Sequence, residues 1–436
     1  MAFFAISALA VAGVAKANPI KPTLATDVDP TQYTATADTS VYEAQATAPT
    51  SSFRKHYKKG RAFDRFITIW MEPSDGVKDA KALTFIKNTD YDKAEADPNL
   101  AWLAERGITL ENYFGVTHPS EPNYVASHGG DNFGMDNDAF NRVASNVSTI
   151  TDLLEDKHIS WGSYQEDMPY TGFEGYSWVN QETRANDYVR KHNPPVIYDA
   201  NTSPLRLSYQ KNMTEFYKDL ANEDLPQWMF ITPNMTSDGH DSSVTTAGSW
   251  MRNLLEPLME NEYFWSRTLI LVTFDESESY SISNRVFSIL LGGAVPKHLE
   301  GSKDDKYYNH YSELSTVEAN WNLHTLGRWD VGANVFDLVA CETGDIYRPN
   351  LAATADEPSI FYNSSFAGPF NEDFQAAPYP PPNLDIKSPK THRTVLPAIK
   401  KQWEGHTEGT YYHDGVEIPD GQHPPQGYAV NDVSNA

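Results

Sequence analysis

Thr268-Leu269-Ile270-Leu271-Val272-Thr273-Phe274 runs directly into Asp275-Glu276-Ser277. A short aliphatic run without polar alternation predicts a strand buried on both faces, the habit of a parallel sheet covered by helices. Phe66-Ile67-Thr68-Ile69-Trp70 has the same character and delivers Met71-Glu72 to its C-terminal end. Around these two runs the pattern alternates. Helices are expected over 100–107, 150–157, 213–220 and 249–259, and strands over 108–114, 159–164, 228–232 and 286–291. Repeated βα units predict an α/β fold with a mostly parallel central sheet sandwiched by helices.

In such sheets, sites gather beyond the carboxyl ends of the strands, and Glu72, Asn234 and Asp275-Glu276 all fall there. The candidate nucleophile lies in Thr117-His118-Pro119-Ser120-Glu121-Pro122-Asn123-Tyr124, which sets a serine on a proline-bounded turn. A serine hydroxyl attacks only when a base, a metal or a helix N-terminus favours its alkoxide. Ser and Pro are also routine at helix starts, so Ser120 reads equally as a cap. With Glu72 and Ser120, Asp275-Glu276 would form an oxygen-rich set suited to a divalent ion, although acidic pairs after strands also cap helices.

The loop Thr232-Pro233-Asn234-Met235-Thr236-Ser237-Asp238-Gly239-His240-Asp241 offers His240 to protonate a leaving oxygen or bind phosphate. Arg190-Lys191-His192-Asn193-Pro194 is a compact cationic group in an acidic chain, either an attractor for phosphate or an exposed turn. In Asn309-His310-Tyr311-Ser312, His310 is a possible further contact and Ser312 a helix cap.

These segments, in this order, resemble the fungal phosphate-repressible acid phosphatases of the phosphoesterase family, which also holds bacterial phospholipases C and a bacterial acid phosphatase. The resemblance spans residues 63–336 and implies an alkaline phosphatase-like sandwich with a metal-activated nucleophile. By position, Ser120 matches the nucleophile, Glu72 the first acidic ligand, Asp275 and Glu276 the late acidic pair, and His240 the loop histidine. Where two-metal relatives carry aspartate after the loop proline this chain has Asn234, which implies one divalent ion, held by Glu72, Ser120, Asp275 and Glu276. Glu72 is followed by Pro73 where bacterial members often carry asparagine.

The expected activity is hydrolysis of small phosphate monoesters through a phosphoserine, with Asn123 and His192 as the first phosphate-binding donors and Asn132 or Asn137 as alternatives. A phospholipase C-type phosphodiesterase is the second expectation, and a non-catalytic secreted glycoprotein the third. No R-H-G-x-R-x-P sequence occurs, which disfavours the histidine acid phosphatases.

Residues 1–17 read as a secretory signal, apolar and ending in Ala15-Lys16-Ala17. An extended arm (18–60), an α/β domain (61–345) and an irregular proline-rich wrap or tail (346–436) are expected to follow. The sequons at Asn146, Asn201, Asn212 and Asn363 are candidate glycosylation sites on a secreted chain, whereas Asn234, close to the pocket, is expected to be unmodified. A lone cysteine, Cys341, cannot form an intramolecular disulfide, so 436 residues with 40% hydrophobic composition must rely on their core. The net charge of −25 argues against nucleic acid or stable membrane association, and its repulsion of anionic substrates weakens in acid.

Overall fold

The computed structural model describes residues 57–72, 90–179, 186–280, 282–349, 365–372, 379–406 and 410–412, with the backbone alone at 32–34. The expected signal peptide, nearly all of the arm, Asn363 and Pro424-Pro425 lie outside the described residues. Strands are numbered along the chain. They are β1 (Gln32–Thr34), β2 (Arg65–Met71), β3 (Ile108–Phe114), β4 (Trp161–Gln165), β5 (Ser177–Val179), β6 (Asn186–Val189), β7 (Gln210–Asn212), β8 (Trp228–Thr232), β9 (Thr268–Phe274), β10 (Ser288–Leu291) and β11 (Ser302–Asn309).

The two apolar runs that opened the reading are neighbours. Every residue of β2 and β9 is buried, and they pair in parallel from Arg65 opposite Thr268 to Met71 opposite Phe274. They lie at the middle of an eight-stranded sheet of order β11-β3-β10-β9-β2-β8-β4-β7, and β1, β5 and β6 form a small second sheet. The mixed α/β fold with a large, mostly parallel sheet is thus as expected. The one reversal in the large sheet is β10, antiparallel to both β9 and β3. Its cause is the connection: among the described residues no helix lies between Phe274 and Ser288, and without a crossover element a strand returns antiparallel.

The helix Ser120–Gly129 is buried at all of its residues, so no polar face betrays it as an amphipathic repeat. It ends where Gly130 takes a left-handed φ of 76°. A Cβ on Gly129 would lie 2.1 Å from the Tyr198 hydroxyl, so the helix end can approach that ring only as glycine. Just beyond, Asp131 accepts hydrogen bonds from the hydroxyls of Tyr411 and Tyr412. The C-terminal wrap therefore closes over the far end of this helix. Val395 adds a parallel bridge to Thr325, and the Tyr379 hydroxyl accepts from Ala144 N.

Three sequons are interior. Asn201 donates from Nδ2 to His128 Nε2, Asn212 donates to the Met168 carbonyl, and Asn146 is also buried. With those amide nitrogens spent inside, a glycan has no place on Asn201 or Asn212 in this fold, which corrects the sequon reading at both. Cys341 is free and exposed. Among the described residues, no helix is long and apolar enough to cross a membrane.

The helix His310–Trp321 carries two carboxyls into the core, Glu313 and Glu318. Glu313 Oε1 accepts from Trp70 Nε1 at 3.1 Å and from the Tyr113 hydroxyl at 2.9 Å, and burial pushes the carboxyl up to about 8. Between the ordinary glutamate range and that value the folded chain holds a proton that the unfolded chain has lost. Stability from this group is therefore full below about pH 4.5 and declines as pH rises toward 8, by roughly 3 kcal/mol at pH 7. Glu313→Gln, which mimics the protonated carboxyl, should flatten the fall of Tm between pH 4.5 and 8 in calorimetry. Equal slopes for variant and wild type would refute the assignment.

Candidate active site

The register of the sheet builds the site. Because Met71 pairs with Phe274, the next residues, Glu72 and Asp275, emerge side by side, and Asp275 N donates to the Met71 carbonyl at 3.2 Å. On the other flank, Glu72 N donates to the Asp238 carbonyl at 3.0 Å, which brings the loop after β8 to the same edge. Asn234 shapes that loop, its Oδ1 accepting from Thr236 N and Ser237 N while its Nδ2 donates to Asp167 at 2.6 Å. It is no ligand. The carboxylate on this loop that comes within 4.8 Å of Glu72 and His192 is that of Asp238.

Ser120 arrives from β3 through a loop held by Asn123. Asn123 Oδ1 accepts from Val116 N (2.7 Å) and Thr117 N (3.2 Å), and its Nδ2 donates to the Thr117 and Pro119 carbonyls at 2.8 and 3.1 Å. These internal bonds leave it nothing for a phosphate, so Asn123 is a positioning residue rather than the expected donor. Asn132 and Asn137 are likewise turned to Ser365 and Phe370. Pro119 is the N-cap and Ser120 the first helical residue, so the serine side chain is not spent on capping.

The Ser120 hydroxyl instead donates to Glu72 Oε1 at 2.5 Å, lies 3.4 Å from Glu276 Oε1, and accepts from Lys191 Nζ at 3.2 Å. Lys191 also donates to Asp138 Oδ2 at 2.9 Å. It stands in the cationic group Arg190-Lys191-His192-Asn193-Pro194, next to His192, the expected phosphate donor. His192 is no anion donor here: one ring nitrogen faces Glu72 Oε2 and the other lies 3.5 Å from Asp238 Oδ2, with the ring stacked on Tyr124. Arg190 is structural, donating to the Val196 and Glu174 carbonyls.

His240 sits at the open side of the site, with Nδ1 2.7 Å from Asp241 Oδ1 and Nε2 3.7 Å from Glu72 Oε1. His310 stays behind the site, its Nε2 2.6 Å from the Asp275 carbonyl and its Nδ1 3.2 Å from the Tyr113 hydroxyl, while Asn309 and Ser312 form the capping box. His118, passed over in the sequence, touches Glu276 through Nδ1. Burial pushes its imidazole down to about 3, so this contact is a hydrogen bond rather than an ion pair.

The electrostatics separate the carboxylates. Burial works to raise Glu72, but His192 and Lys191 outweigh it and hold the group below the usual carboxylate range. Burial together with the neighbouring acids drives Asp275 and Glu276 well above theirs, and both Asp275 oxygens are buried without a hydrogen-bond partner. Donor atoms of Glu72, Asp275 and Glu276 lie within 4.8 Å of one another, as do those of Glu72, His192 and Asp238. Orphaned oxygens crowded about one point suit a divalent cation, which offsets the repulsion that otherwise protonates them. The first group is all oxygen; the second, with an imidazole, suits a more borderline ion.

Residues 78–324 match the family model described as the phosphoesterase family. The chain belongs to the phosphoesterase family. The match takes in Ser120, Lys191, Asp238, His240 and Asp275-Glu276, while Glu72 precedes it. This phosphoesterase is 48% identical to an acid phosphatase of Aspergillus fumigatus, over 81% of this chain and 75% of that one. It is 45% identical to the phosphate-repressible acid phosphatase of Penicillium chrysogenum, over 88% of this chain and 86% of that one. A solved alkaline phosphatase superfamily protein from Vibrio parahaemolyticus overlays with a TM-score of 0.39 at 12% identity, covering 64% of this chain and 72% of that one.

Proposed function

We propose that this phosphoesterase is a secreted acid phosphatase that releases inorganic phosphate from small phosphate monoesters through a phosphoserine on Ser120. The observation that carries it is the Ser120 hydroxyl at the start of a buried helix, 2.5 Å from Glu72 and 3.2 Å from Lys191. The relatives named above support the reaction class.

Ser120 Oγ attacks phosphorus and gives up its proton along the Glu72 contact. Lys191 faces the phosphoryl oxygens, while the Glu121 N–H at the helix start is held by Asp138 Oδ1. His240, oriented by Asp241, hands a proton to the leaving alcohol and then takes one from the water that hydrolyses the phosphoserine. Glu72, Ser120, Asp275 and Glu276 would hold a divalent ion, which supplies charge neutralisation at the serine oxygen when bound. His118 fixes the rotamer of Glu276, and Asn123 fixes the loop that presents Ser120.

Nucleophile and carboxylates serve a diester equally well, so substrate choice is the test. Turnover of a simple phosphomonoester should exceed that of a bis-ester and of phosphatidylcholine by on the order of 100-fold. A preference for either diester would replace the monoesterase with a phospholipase C-type phosphodiesterase.

A further inference from the structure

Between the loop that carries His240 and the strand end that carries Glu276 lies a cavity of about 230 Å³. Ser242, Ser243 and Val244, which follow His240 closely in the chain, form one wall, and Phe274 and Glu276 to Glu278 form the other. Tyr91, Ala94, Val286 and Phe287 complete it, with the Tyr91 and Phe287 rings edge to face at 5.4 Å. Its two cations are engaged within the wall. Lys93 pairs with Glu278 at 2.6 Å, and Arg285 lies over the Tyr91 ring at 3.8 Å while donating to the Glu111 carbonyl. Ser242 Oγ donates to the Thr236 carbonyl and Ser243 Oγ accepts from Thr246 N, so beside its serines and carboxylates the lining offers the aromatic and aliphatic surface of Tyr91, Ala94, Val244, Phe274, Val286 and Phe287 rather than a second anion site. Whole-ligand pockets run from about 300 to 1,000 Å³, so this one has room for part of a substrate, on the scale of one or two rings.

Its place relative to the chemistry decides which part. Glu276, a wall residue, has Oε1 3.4 Å from Ser120 Oγ, and the opposite wall begins at Ser242, two residues beyond His240 in the chain. We propose that this cavity holds the leaving group and selects phosphate monoesters of aromatic alcohols; the inference rests on Ser120 as nucleophile and His240 as proton donor. The Ser120 O–P bond forms as the P–O bond to the phenolic oxygen breaks, and that oxygen departs with the proton from His240. The ring stays against Phe274, Phe287 and Val244, where burial of its faces and edges favours it over a polyol.

Phenyl phosphate and glycerol 3-phosphate are compared by kcat/KM for wild type and Val244→Trp, which fills the cavity from a half-buried wall position. Because phenol is intrinsically the better leaving group, the readout is the change in the ratio between substrates. The phenyl-to-glycerol ratio should fall on the order of tenfold in the variant. An unchanged ratio in an active variant would overturn the aryl pocket while leaving the monoesterase intact. Should Val244→Trp fail to fold, wild type decides through competitive inhibition: phenylphosphonate should bind about tenfold more tightly than methylphosphonate, and equal constants would overturn the proposal. Wild type that hydrolyses neither monoester removes the phosphatase reading, and the leaving-group pocket with it.

Discussion

Ser120→Ala should lower kcat on a phosphate monoester by a factor on the order of 10⁴ or more, while the folded structure persists. The loss is expected in kcat because the hydroxyl forms the bond that turnover requires, whereas alanine leaves Lys191 paired to Glu72 and Asp138. Stability should shift little: the serine makes no capping bond, so no helix-end partner is lost. The measurement is steady-state turnover beside an acid quench that traps protein-bound phosphate from labelled substrate. Wild type should yield phosphoserine at residue 120 and the variant none. Full turnover by the alanine variant would remove the nucleophile. Equal inertness of both proteins would favour a secreted glycoprotein without catalysis.

Chelation should abolish turnover, and a divalent cation should restore it. The ground is the set of buried carboxylates about Ser120, with both Asp275 oxygens orphaned and Asp275 and Glu276 driven upward by burial and mutual repulsion. A cation at 100 times its dissociation constant contributes about 2.7 kcal/mol to the folded state, equivalent to roughly 3 °C in Tm for a chain of this length. Asp275→Asn separates function from stability. It should lose about 100-fold or more in kcat/KM and lose the cation-dependent gain in Tm, yet be at least as stable as wild type in chelator, since the amide needs no proton to be neutral where burial and repulsion disfavour the carboxylate. Chelator-resistant activity with no cation effect on Tm would show that the carboxylates hold no exchangeable ion.

The parts of this site that were legible in the sequence are those placed by strand ends. Glu72 and Asp275-Glu276 follow apolar runs whose burial is total, so their position on one rim follows from a parallel sheet alone. The direction of β10 was not legible, because a buried run looks the same in either sense and only the helix-free connection reverses it. Lys191 and Asp238 were missed for a related reason. Each is brought in by a turn whose course depends on tertiary contacts, the first in the short 3-10 turn Arg190–His192 and the second in the loop shaped by Asn234. Asn123 was misread because residue type reveals that an amide can bond, but not with what. His118 beside Ser120 was a visible signal, since a second titratable group on the nucleophile turn is a natural partner for its ligands.

The closure of the Ser120–Gly129 helix by Tyr411 and Tyr412 also bears on when the enzyme becomes competent. Those hydroxyls reach Asp131 across separations of 280 and 281 residues, and β2 meets β9 across some two hundred. Contacts of such span form late and slowly, because the intervening chain must be ordered before they reward it. A nascent chain thus carries Ser120 long before Tyr411 and Tyr412 exist to close the far end of its helix.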